Sequence, residues 1–230
     1  MGSNEVFFGF ASSSAQPPGC RLPFKQRPPI QPYLLPMNLL DMTFKPLTEE
    51  SEMFQFRTLH AEWFPLTYDE NFYEAVFTGE VHTILAIFGD VILGSITFNI
   101  DRFDQLPAGY DVAESEDTLA YIMTLGVVEE FRGRGLSRLL LAKAIATSWS
   151  IDNNLAGIYL HVIEYNQAAI SLYKSFGFEM LNIKENFYTI CGVPYSALTY
   201  CLYPEGRSQP LFRSMWGSVT GWAKQNIVHW

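Results

Sequence analysis

One stretch limits what this chain can fold into. Residues 120–141, Ala120 to Leu141, begin as an apolar run of strand length. A charged turn follows, with Arg132, Gly133, Arg134 and Gly135. Apolar residues then recur at Leu136, Leu139, Leu140 and Ala144, which is helical spacing. A strand that runs through a Gly-rich turn into a helix is an anion cradle. The first helix amides have no partner within the helix, and the dipole makes that end positive. Gly133 and Gly135 carry no side chains, so a diphosphate is expected to approach the backbone closely. No Gly-Lys-Ser/Thr follows, and G-x-G-x-x-G is absent, so neither the nucleoside-triphosphate loop nor the dinucleotide fingerprint applies.

The chain of 230 residues suits one domain with additions, and its 48% hydrophobic content fills a substantial core. A net charge of −9 argues against a nucleic-acid binder. Cys20, Cys191 and Cys201 are odd in number and widely spaced. They suggest neither a disulfide framework nor a zinc pattern, and a reducing compartment is expected. The four histidines are scattered, so no metal is expected. No apolar run reaches the roughly 20 residues of a membrane span, and the start lacks the features of a secretory leader.

Residues 1–37 repeat proline at Pro17-Pro18, Pro28-Pro29, Pro32 and Pro36, which predicts a disordered extension. The folded domain is expected over 38–203. A strand is expected over 41–46 and a helix from Thr48 to about Ala61, stopped at Trp63-Phe64-Pro65. A short helix over 69–77 ends at Gly79. Strands over 81–88 and 91–100 meet in a hairpin at Gly89-Asp90. After a polar loop at 101–116 come the strand 118–128 and its helix 136–150. A strand over 156–164 precedes a helix from Asn166 that Gly177 closes. Strands over 178–183 and 196–202 flank an aromatic loop at Asn186-Phe-Tyr-Thr. This order predicts an α/β domain with a mixed sheet and a central right-handed βαβ crossover. Period-two alternation puts Tyr121, Met123, Leu125 and Val127 on one face of their strand.

The tail over 204–230 reads as a linker and then a helix. Phe212, Met215, Trp216, Val219, Trp222, Ala223, Ile227 and Trp230 fall on one side. Three tryptophans in so short a segment suit a membrane interface.

The arrangement R-x-x-G-x-small, here Arg132, Gly135 and Ser137, resembles the acetyl-CoA pyrophosphate loop of the GNAT acyltransferases. Their fold is a mixed, mostly antiparallel seven-stranded sheet with a central βαβ crossover and flanking helices, and the predicted order matches it. The segments Tyr121-Ile-Met-Thr-Leu-Gly126, Tyr159-Leu-His161-Val and Asn166-x-x-Ala169-x-x-x-Tyr173-x-x-x-Gly177-Phe178 are similar to those of N-terminal α-amine acetyltransferases. The pattern is most like the membrane-associated, Golgi type called NatF, with the catalytic subunit of NatE second. The resemblance implies acetyl-CoA as co-substrate and protein N-termini as acceptors, chiefly methionine followed by a hydrophobic residue. It implies Tyr121 and His161 as the pair that deprotonates the amine through a water, with Tyr173 serving the leaving thiolate. Backbone groups of Leu125, Gly126 and Val127 would hold pantetheine. Arg132, Gly133, Arg134, Gly135, Leu136, Ser137 and Arg138 would hold the pyrophosphate. Asn166, Tyr173, Lys174, Ser175 and Phe176 would line the rest of the CoA site. Phe64, Pro65, Tyr68, Met123 and Tyr188 would form a narrow apolar slot for the first side chain. A tail that binds the cytosolic face of an internal membrane, Golgi first and plasma membrane second, completes that expectation, with the protein a monomer or weak homodimer. Two other readings stay open: a lysine or histone acetyltransferase on the same fold, and a non-catalytic acyl-CoA-binding membrane module.

Overall fold

The computed structural model describes Ile30, residues 39–102 and residues 118–204. The expected proline-rich extension and membrane-binding tail fall almost wholly outside the described residues.

The first strand, β1 (Thr43–Lys45), is short. The helix after it, α1 (Glu50–Trp63), begins one residue later than the Thr48 signal suggested, with Glu49 in the cap position. There Glu52 accepts from both the Thr48 and Glu49 amides at 3.3 Å, so acid chemistry replaces the hydroxyl cap. Asp69 starts α2 (Glu70–Thr78) by accepting from the Phe72 amide, and left-handed Gly79 ends it. Next come β2 (His82–Phe88) and β3 (Val91–Arg102), joined at Gly89-Asp90 as the sequence predicts. The organising stretch supplies β4 (Thr118–Val127) and α3 (Leu136–Ile151). The chain closes with β5 (Gly157–Ile163), α4 (Gln167–Ser175), β6 (Glu179–Ile190) and β7 (Val193–Leu202).

The seven strands form one sheet in the order β1-β2-β3-β4-β5-β7-β6. Among the described strands only β4 and β5 are parallel, with α3 as the crossover between them. This is the predicted mixed, mostly antiparallel sheet. Its two faces are covered by different helices. A Cβ on Gly94 would meet Leu136 and Leu140 of α3, whereas one on Gly126 would meet Trp63 of α1. Gly94 opposes Val127, the neighbour of Gly126, so α3 and α1 lie on opposite faces.

One expectation changes. The aromatic loop at 186–189 is strand: β6 runs through it, and Tyr188 opposes Tyr195 of β7. The turn lies farther on, at Cys191 and Gly192, which have φ of 52° and 74° between the paired Ile190 and Val193. A two-residue hairpin turn wants positive φ at both places, and the sequence hides one behind a cysteine rather than Asn or Asp. Of the cysteines, Cys201 is free and buried.

Candidate active site

The parallel strands part company halfway along. Pairing between β4 and β5 stops at Ile122 opposite Leu160, although β4 continues to Val127. Among the described residues, 123–127 therefore have no strand partner on their β5 side. The pairing ends there, and the C-terminal ends of parallel strands are where an α/β sheet leaves room for a ligand.

Tyr121 opposes Tyr159 across this pair, and His161 lies two residues beyond Tyr159 on the same face. The Tyr121 and Tyr159 rings stack at 4.6 Å, and Tyr121 meets His161 edge-on at 5.7 Å. The structure thus brings together the phenol and imidazole singled out from sequence. His161 is 2% exposed, and neither ring nitrogen has a hydrogen-bond partner among the described residues. Burial, then the charge of Lys184, holds its pKa well below the usual histidine range. It is a neutral imidazole at neutral pH, able to accept a proton.

The alternation drawn from sequence does not survive. A bulge between Thr97/Thr124 and Phe98/Ile122 leaves Met123 as an extra residue in β4. Before it, Tyr121 opposes Asn99; after it, Thr124 opposes Thr97, and their hydroxyls meet at 2.7 Å. Asn99, Thr97 and Ser95 share a face, so Tyr121, Thr124 and Gly126 do too. Leu125 and Val127 point to the α3 side instead. The bulge lets one strand offer its phenol to one face and backbone groups to the gap with β5. Gly126 has a reason of its own: an added Cβ would lie 2.1 Å from the Trp63 ring.

At the end of β4 the turn is shaped as an anion cradle. Arg132 folds back, donating from Nε to the Val127 carbonyl at 3.1 Å. Gly133 and Gly135 adopt φ of 74° and 85°, and space is open where a Gly133 Cβ would lie. Gly135 occupies the cap position without a side-chain cap, and the Leu139 amide is the first to donate back, to Gly135. The amides of Leu136, Ser137 and Arg138 precede that ladder and face out past the helix end. Arg134 lies 4.9 Å over the Phe131 ring. Arg138 bonds Ser175 Oγ at 2.6 Å and lies 4.9 Å over the Phe176 ring, tying the start of α3 to the end of α4.

On α4, Asn166 is the cap, accepting from the Ala169 amide. Tyr173 is buried, and burial raises its phenol pKa, so it stays protonated and can donate. Lys174 is exposed in the last turn. Phe64 and Tyr68 are buried around His60, at ring distances of 5.1 Å each, while Pro65 is half-buried. Met123 is half-buried at the bulge. Tyr188 is buried against Phe187, whose ring stacks on His161 at 5.1 Å.

Sequence reasoning missed Phe187 as a direct neighbour of His161, and Lys184 altogether. Lys184 Nζ lies 5.1 Å from the Phe187 ring, and burial lowers its pKa to about 8. A lysine on an edge strand reads as solvated, so no local signal marked it. Among the described residues no cluster of His, Cys, Asp and Glu is placed to hold a metal ion.

A sequence model of the acetyltransferase (GNAT) family matches residues 46–178. Histone acetyltransferase MCC1 of Arabidopsis thaliana is 30% identical over 175 residues, covering 70% of this chain and 69% of that protein. N-alpha-acetyltransferase 60 of Danio rerio is 31% identical over 166 residues, covering 68% of this chain and 67% of that protein. Among solved structures, Arabidopsis thaliana NAA60 in complex with a bisubstrate analogue superposes with a TM-score of 0.65. It is 28% identical, and the match covers 72% of this chain and 99% of that one.

Proposed function

The chain belongs to the acetyltransferase (GNAT) family, and on that premise we propose that it moves acetyl from acetyl-CoA to the N-terminal amine of proteins. The observation that carries this reading is the buried His161 imidazole, without a hydrogen-bond partner among the described residues, beside Tyr121 where the pairing of β4 and β5 ends, with the bare-amide turn at the end of β4. Acetyl-CoA supplies an activated acyl group on a thiol leaving group. The residues fit it: glycines with left-handed φ and uncapped amides suit a diphosphate, and the unpaired edge of residues 123–127 suits the amides of an extended arm.

An N-terminal ammonium has a reference pKa near 8 and must lose a proton before its nitrogen attacks. His161, neutral and desolvated, takes that proton, directly or through a water held with the Tyr121 hydroxyl. Tyr173, kept protonated by burial, donates to the departing sulfur. Phe64, Pro65, Tyr68, Met123 and Tyr188 form the walls for the first side chain, which favours methionine. Similarity to proteins named N-alpha-acetyltransferase 60 supports the acceptor class. The finer reading adds methionine-hydrophobic N-termini of membrane proteins, docking through the tail on the cytosolic face of the Golgi, and a monomer or weak homodimer.

Tyr121→Phe and His161→Ala are each expected to lower kcat by about 100-fold while acetyl-CoA still binds. Full turnover in both would remove the proposed base and favour a non-catalytic acyl-CoA module. Similarity to a protein named histone acetyltransferase keeps lysine transfer as the second reading. Acetylation of a Met-Leu peptide should exceed that of an N-terminally blocked peptide with an internal lysine, and the reverse preference decides for lysine.

A further inference from the structure

The proton that His161 takes has to leave. In the reaction proposed above, the ammonium loses two protons as the N–C bond forms and the C–S bond breaks. One ends on the thiol, and one is released to water. His161 is buried, and the nearby Lys184 charge disfavours an imidazolium, so a proton held there needs an exit.

A row of polar side chains runs from His161 toward the sheet edge. His161 on β5 opposes Thr199 on β7, and Thr199 opposes Asn182 on β6, the edge strand. Directly opposed residues share a face, with Cβ atoms about 5 Å apart. Thr199 is 2% exposed, and its Oγ1 has no hydrogen-bond partner among the described residues. Asn182 is half-buried, and its Oδ1 is likewise buried and unpartnered. Both nitrogens of His161 share that condition. A register shift between Met180 and Asn182 makes Leu181 the extra residue, so an amide rather than a leucine opposes Thr199. Buried polar atoms are nearly always satisfied, and neighbouring unsatisfied ones commonly share ordered water. Among the described residues, the other ionisable groups on this face near the row are Tyr121 on β4, Tyr159 on β5, Glu179, Lys184 and Tyr188 on β6 and Tyr195 and Cys201 on β7, with Tyr203 just past β7.

We propose that Thr199 and Asn182 are positioning residues that order water between the His161 imidazole and solvent at the β6 edge, and that the released proton leaves along this row. The hydroxyl of Thr199 both accepts and donates, so it bridges two waters; Asn182 anchors the outer one. The inference rests on His161 as the base.

The test is steady-state kinetics on the full chain with a Met-Leu peptide, in water and in deuterium oxide. Thr199→Val keeps shape and removes the hydroxyl. Its kcat is expected to fall about ten-fold, with peptide and acetyl-CoA KM unchanged and a larger solvent isotope effect. Thr199→Ser should retain wild-type turnover. Asn182→Ala, at a half-buried site, should lower kcat in the same way and gives the answer independently if Thr199→Val melts early. A kcat within about two-fold of wild type in the folded variants, or a change confined to KM, overturns the exit row. His161→Ala run beside them separates the two ideas. If it loses turnover while Thr199→Val does not, only the row falls; if it keeps turnover, the base assignment falls and takes the row with it.

Discussion

At the scale of single residues, two buried histidines show how one residue type serves different ends. His60 is fully buried among the rings of Phe56, Trp63, Phe64, Tyr68, Phe72 and Tyr73, and burial pushes its pKa down to about 3. His161 is equally buried but sits at the strand split. Both are neutral when folded and take up a proton on unfolding once the pH drops below 6.5. The unfolded state then binds more protons, so stability is full above that pH and is lost as pH falls through it. For His60 the loss continues to about pH 3. Each contributes a slope of about 1.4 kcal/mol per pH unit in that window. His60→Leu should flatten the acid limb of a denaturation series by one proton and leave stability at pH 7 unchanged or about 1 kcal/mol higher; an unaltered limb would contradict the assignment. Gly126→Ala forces a methyl into the Trp63 ring and should cost about 3 kcal/mol, read as a drop in melting temperature. Gly126 stood out in the sequence only as a backbone position; its need for Trp63 to pass overhead was not legible, because that contact spans sixty-odd residues.

At the scale of elements, the local signals were mostly readable. Asp69 capping α2, Gly79 and Gly177 in left-handed conformations, Asn166 capping α4 and the Gly89 hairpin all follow from chemistry within a few residues. Asp69→Ala should remove about 1 kcal/mol from chemical denaturation, since the Phe72 amide loses its acceptor. What the sequence concealed were the register faults. Met123 and Leu181 are ordinary strand residues, and nothing about them announces that each is the extra residue of a bulge. Yet the first turns Leu125 away from the face of Tyr121, and the second brings Asn182 opposite Thr199. Bulges arise from how two strands match along their whole length, so alternation counted on one strand misses them. The extension of β6 through Phe187 and Tyr188 was concealed in the same way, by a turn built on Cys191-Gly192.

At the scale of the whole molecule, no helix among the described residues is long and apolar enough to cross a membrane. In our proposal the hold on a bilayer falls to the tryptophan-bearing segment over 211–230, whose three tryptophans suit a membrane interface. Deleting residues 205–230 should move the protein from the membrane to the supernatant in a fractionation, with kcat on soluble peptides unchanged; a persistent membrane fraction would refute the tail's role. The sequence by itself determined the order of strands and helices, the glycine turn that opens α3 and the presence of a tyrosine and a histidine on the two parallel strands. Those features depend on periodicity, caps and backbone freedom, all of which are short-range. Only the tertiary structure decided which faces those side chains share, that Lys184 and Phe187 close around His161, and that a polar row leads from it to the sheet edge. These depend on register and burial between distant segments, where the dehydration of a group and the identity of its neighbour are set by packing rather than by the chain on either side of it.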